Sequence, residues 1–404
     1  MSASWQRGLP AAFALAYACV PLFPIFITLT SVDFPGISLL PVPVALALLG
    51  VMVLIALYVG AMLLAAPREK PPLLAQMLAW FGSALLAALL GFNPHDGLLF
   101  VGIVGLGVIW YCAIVRYYRV PGVARAIYWS YLVSGLLASA VAVVMVIARH
   151  PAAQYTIGHG RAIGTFILPG ELAGYLIVFL PIAFALTRVA RSRALRAIAV
   201  AALVTGALAM LLTFSRAGWM GLASAVAVFA AMRARSRHAA LALLIGILGA
   251  ALVAVLLVFN AHHDPSENYT RLSIWQTAIG VIDRFPFTGV GPFGFSRLYA
   301  LLRLPDGDAT AFHAHSVYLT FLAELGIVGA SAVAWTFWSF GLELRRRLSA
   351  ATPGAALLAT AVAAGLIGTL VQGLIDTVSV VIFGLWFPTL ALALVAARSA
   401  TEDA

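Results

Sequence analysis

The chain has 404 residues, of which 63% are hydrophobic and only 9% charged, and its mean hydropathy is +1.04. A soluble domain carries about a quarter charged residues, so the composition excludes a soluble globular protein. The net charge of +10 would suit nucleic acid, but the basic residues are scattered in short loops between apolar runs and form no basic domain. Cys19 and Cys112 both lie inside apolar runs, where neither a disulfide framework nor a thiolate metal site is expected.

Apolar runs of about 20 residues predict membrane-spanning helices. Twelve such runs predict an all-α integral membrane protein that forms a single polytopic domain over residues 1–404. The runs are 10–31, 41–66, 73–91, 97–117, 124–148, 166–188, 196–214, 217–233, 239–260, 314–341, 354–372 and 377–397. Only Ser215 and Arg216 separate the seventh run from the eighth, so these two could instead be short, broken helices.

The distribution of basic residues predicts the orientation of the chain. With these spans, 17 of the 24 lysines and arginines fall on the side that holds both termini, and the positive-inside rule places that side in the cytoplasm. The outward-facing loops hold seven of the eight histidines, all except His238. They also hold seven arginines, each of which needs an acidic partner or an anionic ligand: Arg149, Arg161, Arg216, Arg271, Arg284, Arg297 and Arg303. The chemistry is therefore expected on the outer face.

One large outward-facing loop, residues 261–313, separates the ninth span from the tenth. Its middle part predicts an amphipathic helix lying at the membrane surface, because apolar residues recur there at helical spacing: Leu272, Trp275, Ile279 and Ile282. Arg271 on this helix is interpreted either as a clamp for an anionic substrate or as the partner of Glu267, four residues earlier. The turn cluster Thr288–Gly294 is too weak a signal to predict a phosphate-binding loop.

Two further arginines stand where an anionic ligand could reach them. Arg216 begins a helix, where a phosphate would meet both its guanidinium and the free N–H groups of the first turn. The alternative is an arginine that extends to the lipid headgroups or pairs with an outer carboxylate. Arg161 follows Gly158 and Gly160, which let the backbone approach a ligand closely, but a plain flexible loop explains it equally well. Glu171 in the next span is a candidate partner for Arg161.

His313 and His315 stand at the start of the tenth span. Two residues apart on a helix they point in different directions, so a shared metal ion is not expected. A histidine at the membrane boundary is a usual general base near neutral pH, and the alternative is a histidine that only satisfies a helix N-terminus.

Three acidic residues receive structural interpretations. Glu343 precedes two arginines by three and four residues, which predicts an ordinary helix pair on the cytoplasmic side. Asp376 stands in the outer turn before the last span, where it is expected only to cap the final helix. Glu324 is half a helix rotation from His315 and is expected to pair elsewhere.

Several motifs resemble those of one family. His315-Ser316, nine residues and then Gly326-Ile327-Val328-Gly329 resembles the His-[Asn/Ser/Gln]-x9-Gly-x-x-Gly signature of bacterial O-antigen ligases. Ser215-Arg216-Ala217-Gly218 resembles a Ser-Arg-Gly/Ala segment of the wider O-antigen ligase and polymerase superfamily. Arg271 with Trp275, followed by Gly289-Val290-Gly291, is similar to the large-loop pattern of that superfamily.

The resemblance implies a GT-C-like glycosyltransferase of the bacterial inner membrane, with a periplasmic active site and no cofactor or metal. The expected donor is O-antigen polysaccharide on undecaprenyl diphosphate, and the expected acceptor is the lipid A–core oligosaccharide. Carried over residue by residue, His315 is the general base, and Arg216 and Arg271 bind the diphosphate, with Arg161 as a further candidate. His313 departs from the commonest pattern, so which imidazole meets the acceptor stays open.

Three alternatives remain from the sequence. An O-antigen polymerase or a protein O-oligosaccharyltransferase of the same superfamily would use the same type of donor and a different acceptor. A transporter or flippase is less favoured, because the polar residues concentrate on one face and no repeat relates the two halves of the chain.

Overall fold

The computed structural model describes residues 7–22, 42–65, 70–262, 266–304, 311, 313–376 and 380–397. Helices dominate these residues, and short turns join them. In chain order they are α1 (Leu9–Cys19), α2 (Val42–Ala65), α3 (Leu74–Leu90), α4 (Pro94–Tyr117), α5 (Val123–Ala148), α6 (Ala152–Ile157), α7 (Pro169–Val189), α8 (Arg193–Leu212), α9 (Arg216–Arg233), α10 (Arg237–His262), α11 (Ser266–Arg284), α12 (Gly294–Leu302), α13 (Val317–Leu348), α14 (Pro353–Gln372) and α15 (Val380–Ala396).

The protein is a multi-pass α-helical membrane protein. Among the described residues, seven helices are long and apolar enough to cross a membrane: α4, α5, α7, α8, the first 20 residues of α10, α13 and α14. Shorter apolar helices, including α1 and α3, continue the pattern. The seventh and eighth predicted runs form two continuous helices, α8 and α9, of 20 and 18 residues. The alternative of two short, broken helices is therefore wrong.

Helix α7 lies at the centre of the bundle and packs against α8, α9 and α14. Small residues allow the close contacts, as is common between membrane helices. A Cβ on Gly221 of α9 would lie 2.8 Å from the carbonyl oxygen of Gly368 in α14, and one on Gly218 would lie 2.5 Å from Cβ of Ala173 in α7. In this arrangement the first residues of α7 and α9 and the last residues of α14 lie on the same side of the bundle. That end carries the candidate site.

Helix α13 is broken at Gly326, and the turn before α12 occupies the break. Gly326 has φ +63, and the backbone N–H of Ile327 donates to the carbonyl of Pro286 at 2.8 Å. On the other side of the break, the N–H groups of Val290 and Gly291 donate to carbonyls of α13 at 2.9 and 3.0 Å. Gly326, the first glycine of the histidine motif, thus lets a loop dock inside a helix, because a residue with a side chain rarely adopts this φ.

A helix occupies the predicted amphipathic segment, but its buried face differs from the predicted one. Ile274, Ala278 and Val281 are fully buried against α12 and the start of α13, whereas Leu272 and Ile279 are 52% and 51% exposed. The spacing identified the helix correctly. It did not identify the contact face, because apolar residues lie on both sides of α11.

Candidate active site at the start of α13

The segment before α13 is fixed against the end of α14. The backbone N–H of Val317 donates to the carbonyl of Gly373 at 2.8 Å, and the hydroxyl of Ser316 approaches the same oxygen at 3.4 Å. His315 adopts a left-handed backbone conformation with φ +46, which is uncommon for a residue with a side chain. These contacts turn the His315 side chain towards the residues that follow α14.

His315 faces Asp376. Its Nδ1 lies 3.8 Å from Oδ1 of the carboxylate, and the two side chains are 25% and 16% exposed. This distance is too long for a hydrogen bond, but it is short enough for the carboxylate to attract a proton that reaches the imidazole. Among the described residues, Nδ1 of His315 is buried without a hydrogen-bond partner. The imidazole thus stands beside a partly enclosed carboxylate.

Arg271 brings a positive charge to the same place. Its guanidinium donates to the carbonyl of Ile375 at 2.7 Å, one residue before Asp376. Burial alone would raise the pKa of Asp376, but the facing imidazole of His315 and the Arg271 charge outweigh burial and lower it. Asp376 is therefore ionised at neutral pH. The structure gives Arg271 a partner near the histidines, while the side chain of Glu267 lies outside the described ones.

His313 is the more enclosed of the two histidines. It is 7% exposed, its ring lies 4.3 Å from the His315 ring between centroids, and its Nδ1 accepts the backbone N–H of His315 at 3.1 Å. Burial, helped by the neighbouring His315 and by the charge of Arg271, lowers the pKa of His313 to about 3. His313 is therefore neutral at physiological pH, and one of its nitrogens is occupied in shaping the backbone.

The two remaining predicted arginines both lie at the hairpin between α8 and α9. The Nε of Arg161 donates to the carbonyl of Thr213 at 3.1 Å, three residues before Arg216. Ser215 caps α9, because its hydroxyl accepts the N–H of Gly218 at 3.1 Å, and Arg216 is the first residue of that helix. An anion at this hairpin would meet cationic side chains and the positive end of the helix dipole together.

The first turn of α7 connects this hairpin with the histidine cluster. Gly218 packs on Ala173, and a Cβ on Gly170 would lie 2.4 Å from Oδ2 of Asp376. The side chain of Gln372 donates to the carbonyl of Gly170 at 2.8 Å. All of the predicted site residues therefore lie at one end of the α7, α9 and α14 helices. His313, His315 and Arg271 share one cluster, and Arg161 and Arg216 share the other.

Other predicted polar residues have structural partners. The buried carboxyl group of Glu324 accepts the backbone N–H groups of Phe293 and Phe295 at the start of α12, as expected for an acid that pairs away from His315. Glu171 accepts the N–H of Ile167 at 3.2 Å. Arg297 lies 3.5 Å from Asp96.

The remaining expectations concern metal ligands and the opposite end of α13. His263 lies outside the described residues, as does the side chain of His262. No group of three or more histidine, cysteine or acidic side chains within the described part of the chain is placed to hold a metal ion.

Glu343 pairs with Arg346 and Arg347 at 2.8 and 2.6 Å, which confirms the predicted helix pair.

Sequence reasoning missed the position of Asp376. Its Oδ1 faces His315 and its Oδ2 faces Gly170, neither of which belongs to α15, so a capping role alone is the wrong interpretation. One signal was available. Asp376 stands in one of the loops that the predicted topology places on the outer face, where histidines and arginines collect.

Residues 201–334, about a third of the chain, match the sequence model of a family described as O-antigen ligase. This segment runs from α8 to α13 and includes Arg216, Arg271 and both histidines, while Arg161 and Asp376 lie outside it. The resemblance to the O-antigen ligase and polymerase superfamily is confirmed by this match. The family comprises glycosyltransferase-like enzymes and implies a lipid-linked polysaccharide in a membrane setting. No curated protein matches the chain.

Proposed function

We propose that this protein transfers O-antigen polysaccharide from undecaprenyl diphosphate to the lipid A–core oligosaccharide. The observation that carries the proposal is the cluster in which Arg271 binds the Ile375 carbonyl while the adjacent Asp376 faces His315. Displacement of a lipid diphosphate needs a base for the acceptor hydroxyl and a cation for the leaving group, and a carboxylate beside the base stabilises the base once it is protonated.

In this proposal His315 removes the proton from the acceptor hydroxyl. Its imidazole is partly exposed, and Asp376 stabilises the imidazolium as the proton arrives. His313 is a poorer candidate, because its pKa of about 3 makes it a weak base and its Nδ1 already accepts a hydrogen bond. The acceptor oxygen attacks the anomeric carbon on the face opposite the diphosphate, so the configuration inverts.

The arginines stabilise the leaving diphosphate. Negative charge grows on that group as the glycosidic bond breaks, so cations held against it act more strongly on the transition state than on the bound donor. Arg271 is fixed beside the base, while Arg161 and Arg216 approach from the hairpin at the same end of the bundle. This arrangement supplies the electrostatic role without a divalent ion, and we propose a metal-independent reaction.

The proposed setting is the bacterial inner membrane, crossed twelve times with both termini in the cytoplasm. The site then faces the periplasm, and residues 261–313 form a periplasmic loop whose helix α11 lies at the membrane surface. The excess of basic residues on the opposite side supports this orientation.

The test uses purified protein, undecaprenyl-diphosphate-linked glycan and lipid A–core, with a chelator present. His315→Ala is expected to lower the transfer rate by about 10²–10⁴ while donor binding is kept, because only proton removal is lost. His238→Ala, which changes the histidine predicted on the cytoplasmic side, is the matched control and should keep the wild-type rate. Full transfer by His315→Ala would show that another group is the base.

The same superfamily includes polymerases, and a deletion strain separates the two activities. Loss of the ligase should leave lipopolysaccharide without any O antigen on its core. Loss of a polymerase would instead leave core that carries a single repeat, and that gel pattern would overturn the choice of acceptor.

A further inference from the structure

Two turns at the end of the bundle opposite the candidate site carry seven exposed arginines. The turn between α7 and α8 and the turn between α9 and α10 hold them: Arg188, Arg191, Arg193, Arg196, Arg233, Arg235 and Arg237. The sequence has no aspartate or glutamate from residue 172 to residue 263, and among the described residues no carboxylate pairs with any of these arginines. The protein therefore leaves seven positive charges without an acidic partner at this end.

The two turns lie side by side. Helices α7 and α9 pack against each other and run in the same direction, away from the candidate site. The ring of Phe184 in α7 contacts the ring of Phe229 in α9, with 5.7 Å between centroids. Arg188 follows Phe184 by four residues and Arg233 follows Phe229 by four, so each arginine stands about one helical turn beyond this contact. The seven arginines thus form one surface, which we call the arginine surface.

The two turns also share a sequence. Arg-Ser-Arg occurs at residues 191–193 and again at residues 235–237. In each turn the serine hydroxyl accepts a backbone N–H from the helix that follows, that of Leu195 at 3.4 Å and that of Ala239 at 3.2 Å. The serines therefore satisfy the helices, and the guanidinium groups on both sides of each serine are the groups that could bind an anion.

The position of this surface selects the kind of anion. Guanidinium groups bind phosphate through paired hydrogen bonds. The arginine surface stands where the membrane-spanning helices α7 and α8 meet, so the phosphates that reach it belong to lipid headgroups. The half-buried rings of Phe184 and Phe229 lie one turn deeper, where acyl chains begin. Neighbouring helix axes are about 8–10 Å apart, so one headgroup with two phosphates can reach both turns.

We infer that the arginine surface binds an anionic phospholipid with two phosphate groups, one at each turn. The inference goes beyond the proposed reaction and does not depend on it, because the surface lies at the other end of α7 and α9 from the histidine cluster. Such a lipid would join the ends of four helices. A ligand that binds only the folded protein also raises its stability.

Binding of cardiolipin to the purified full chain in detergent tests the inference. Phosphatidylglycerol, at the same phosphate concentration, and phosphatidylcholine are the comparison lipids. Wild-type protein should bind cardiolipin at least about tenfold more tightly than either. Arg191→Gln combined with Arg235→Gln removes one charge from each turn and should lower cardiolipin affinity about tenfold. Both residues lie outside the helices, so this variant should melt at the wild-type temperature in phosphatidylcholine, which shows that it is folded.

Arg345→Gln combined with Arg346→Gln is the matched control. It removes the same charge from exposed residues at the same end of the bundle, where α13 ends, and should keep cardiolipin affinity within about twofold of wild type. An equal loss in this control would reduce the effect to general charge attraction and overturn the inference. Equal binding of cardiolipin and phosphatidylglycerol would overturn the assignment of two phosphates to one lipid. Displacement of cardiolipin by pyrophosphate at equal phosphate concentration would show a site for soluble anions instead of a lipid site.

Discussion

The two ends of helix α13 carry charged clusters of opposite kinds. At its start His315 faces Asp376 at 3.8 Å, with both side chains largely enclosed. At its end Glu343 pairs with Arg346 and Arg347 at 2.8 and 2.6 Å, and Arg346 is 75% exposed. The shorter ion pairs belong to the end without a candidate site. A short distance between two exposed charges therefore does not by itself indicate a strong or functional interaction, because solvent screens such a pair.

The two clusters also differ in what holds them. The Glu343 pairs follow from the spacing within one helix, and outside α13 Arg347 also donates to the carbonyl of Leu394 in α15 at 3.3 Å. The His315 cluster needs the ends of α13 and α14, the guanidinium of Arg271 from α11 and the close approach of Gly170 in α7. The His315 cluster therefore depends on the tertiary fold. Removing one of its members should change the transfer rate more than removing a member of the Glu343 cluster.

The largest contrast is expected between two arginine substitutions. Arg271→Ala should lower the transfer rate by about 10²–10³, the usual cost of removing one positioned donor from a developing negative charge. Arg346→Ala removes the same charge from the other end of the molecule and should change the rate by less than about twofold. Both rates are measured with the same lipid-linked donor. Equal losses of transfer rate in the two variants would show that the cluster at the start of α13 has no greater role in the reaction than the cluster at its end.

The second contrast concerns the two carboxylates. Asp376→Asn keeps the shape of the side chain but removes the anion beside His315, so the transfer rate should fall by about 10–100-fold with donor affinity nearly unchanged. Glu343→Gln is the matched change at the other end and should leave the rate at the wild-type level. If Asp376→Asn weakened donor binding and left the rate at saturation intact, Asp376 would act on the donor and not through His315.

The same contrast explains what the sequence could predict. Apolar runs identified the helical segments, and spacing within one helix identified the Glu343 pairs. The pairing of His315 with Asp376 could not be predicted, because the two residues are far apart in the chain and the turn after α14 brings them together only in the folded bundle. His313, His315 and Arg271 were found because cations and histidines collect on one predicted face.

The break in α13 is another feature that spacing could not reveal. The glycines of the motif indicated a resemblance to a family, but their spacing did not predict a break in the helix. The structure shows that Gly326 accommodates a docked turn, and that docking depends on contacts with residues 286–291. A pattern within one segment cannot predict such a contact, because the partner loop belongs to a different segment, between α11 and α12, and contacts α13 only through the tertiary fold.

The third prediction compares two glycines of α13 by thermal unfolding. Gly326→Ala should destabilise the protein by about 1–3 kcal/mol or more, because a Cβ there would lie 2.2 Å from the carbonyl oxygen of Phe287 and φ is +63. At Gly341, where a Cβ would meet nothing within 4 Å, the same substitution should stabilise the helix by about 0.5–1 kcal/mol. A loss of similar size in both variants would mean that the docked turn has no special role.

The smallest expected effect concerns acid stability and His313. In the folded protein its pKa is about 3, below the usual 6.5, so the unfolded chain binds a proton below pH 6.5 that the folded chain does not. Stability should therefore be unaffected by this group above that pH and should fall as the pH drops from 6.5 towards 3. His313→Gln keeps a polar side chain and removes the titration, so the thermal midpoint should fall less between about pH 6.5 and 5.

The choice of this window separates His313 from the carboxylate beside it. The pKa of Asp376 is lowered from 3.8, so its contribution is lost only below that pH and is common to both proteins. A wild-type midpoint that stays flat from about pH 6.5 to 5, or a His313→Gln variant with the same acid slope, would show that His313 takes up its proton without unfolding. In that case His313 would be less buried than in this structure, and the main argument against His313 as the general base would be lost.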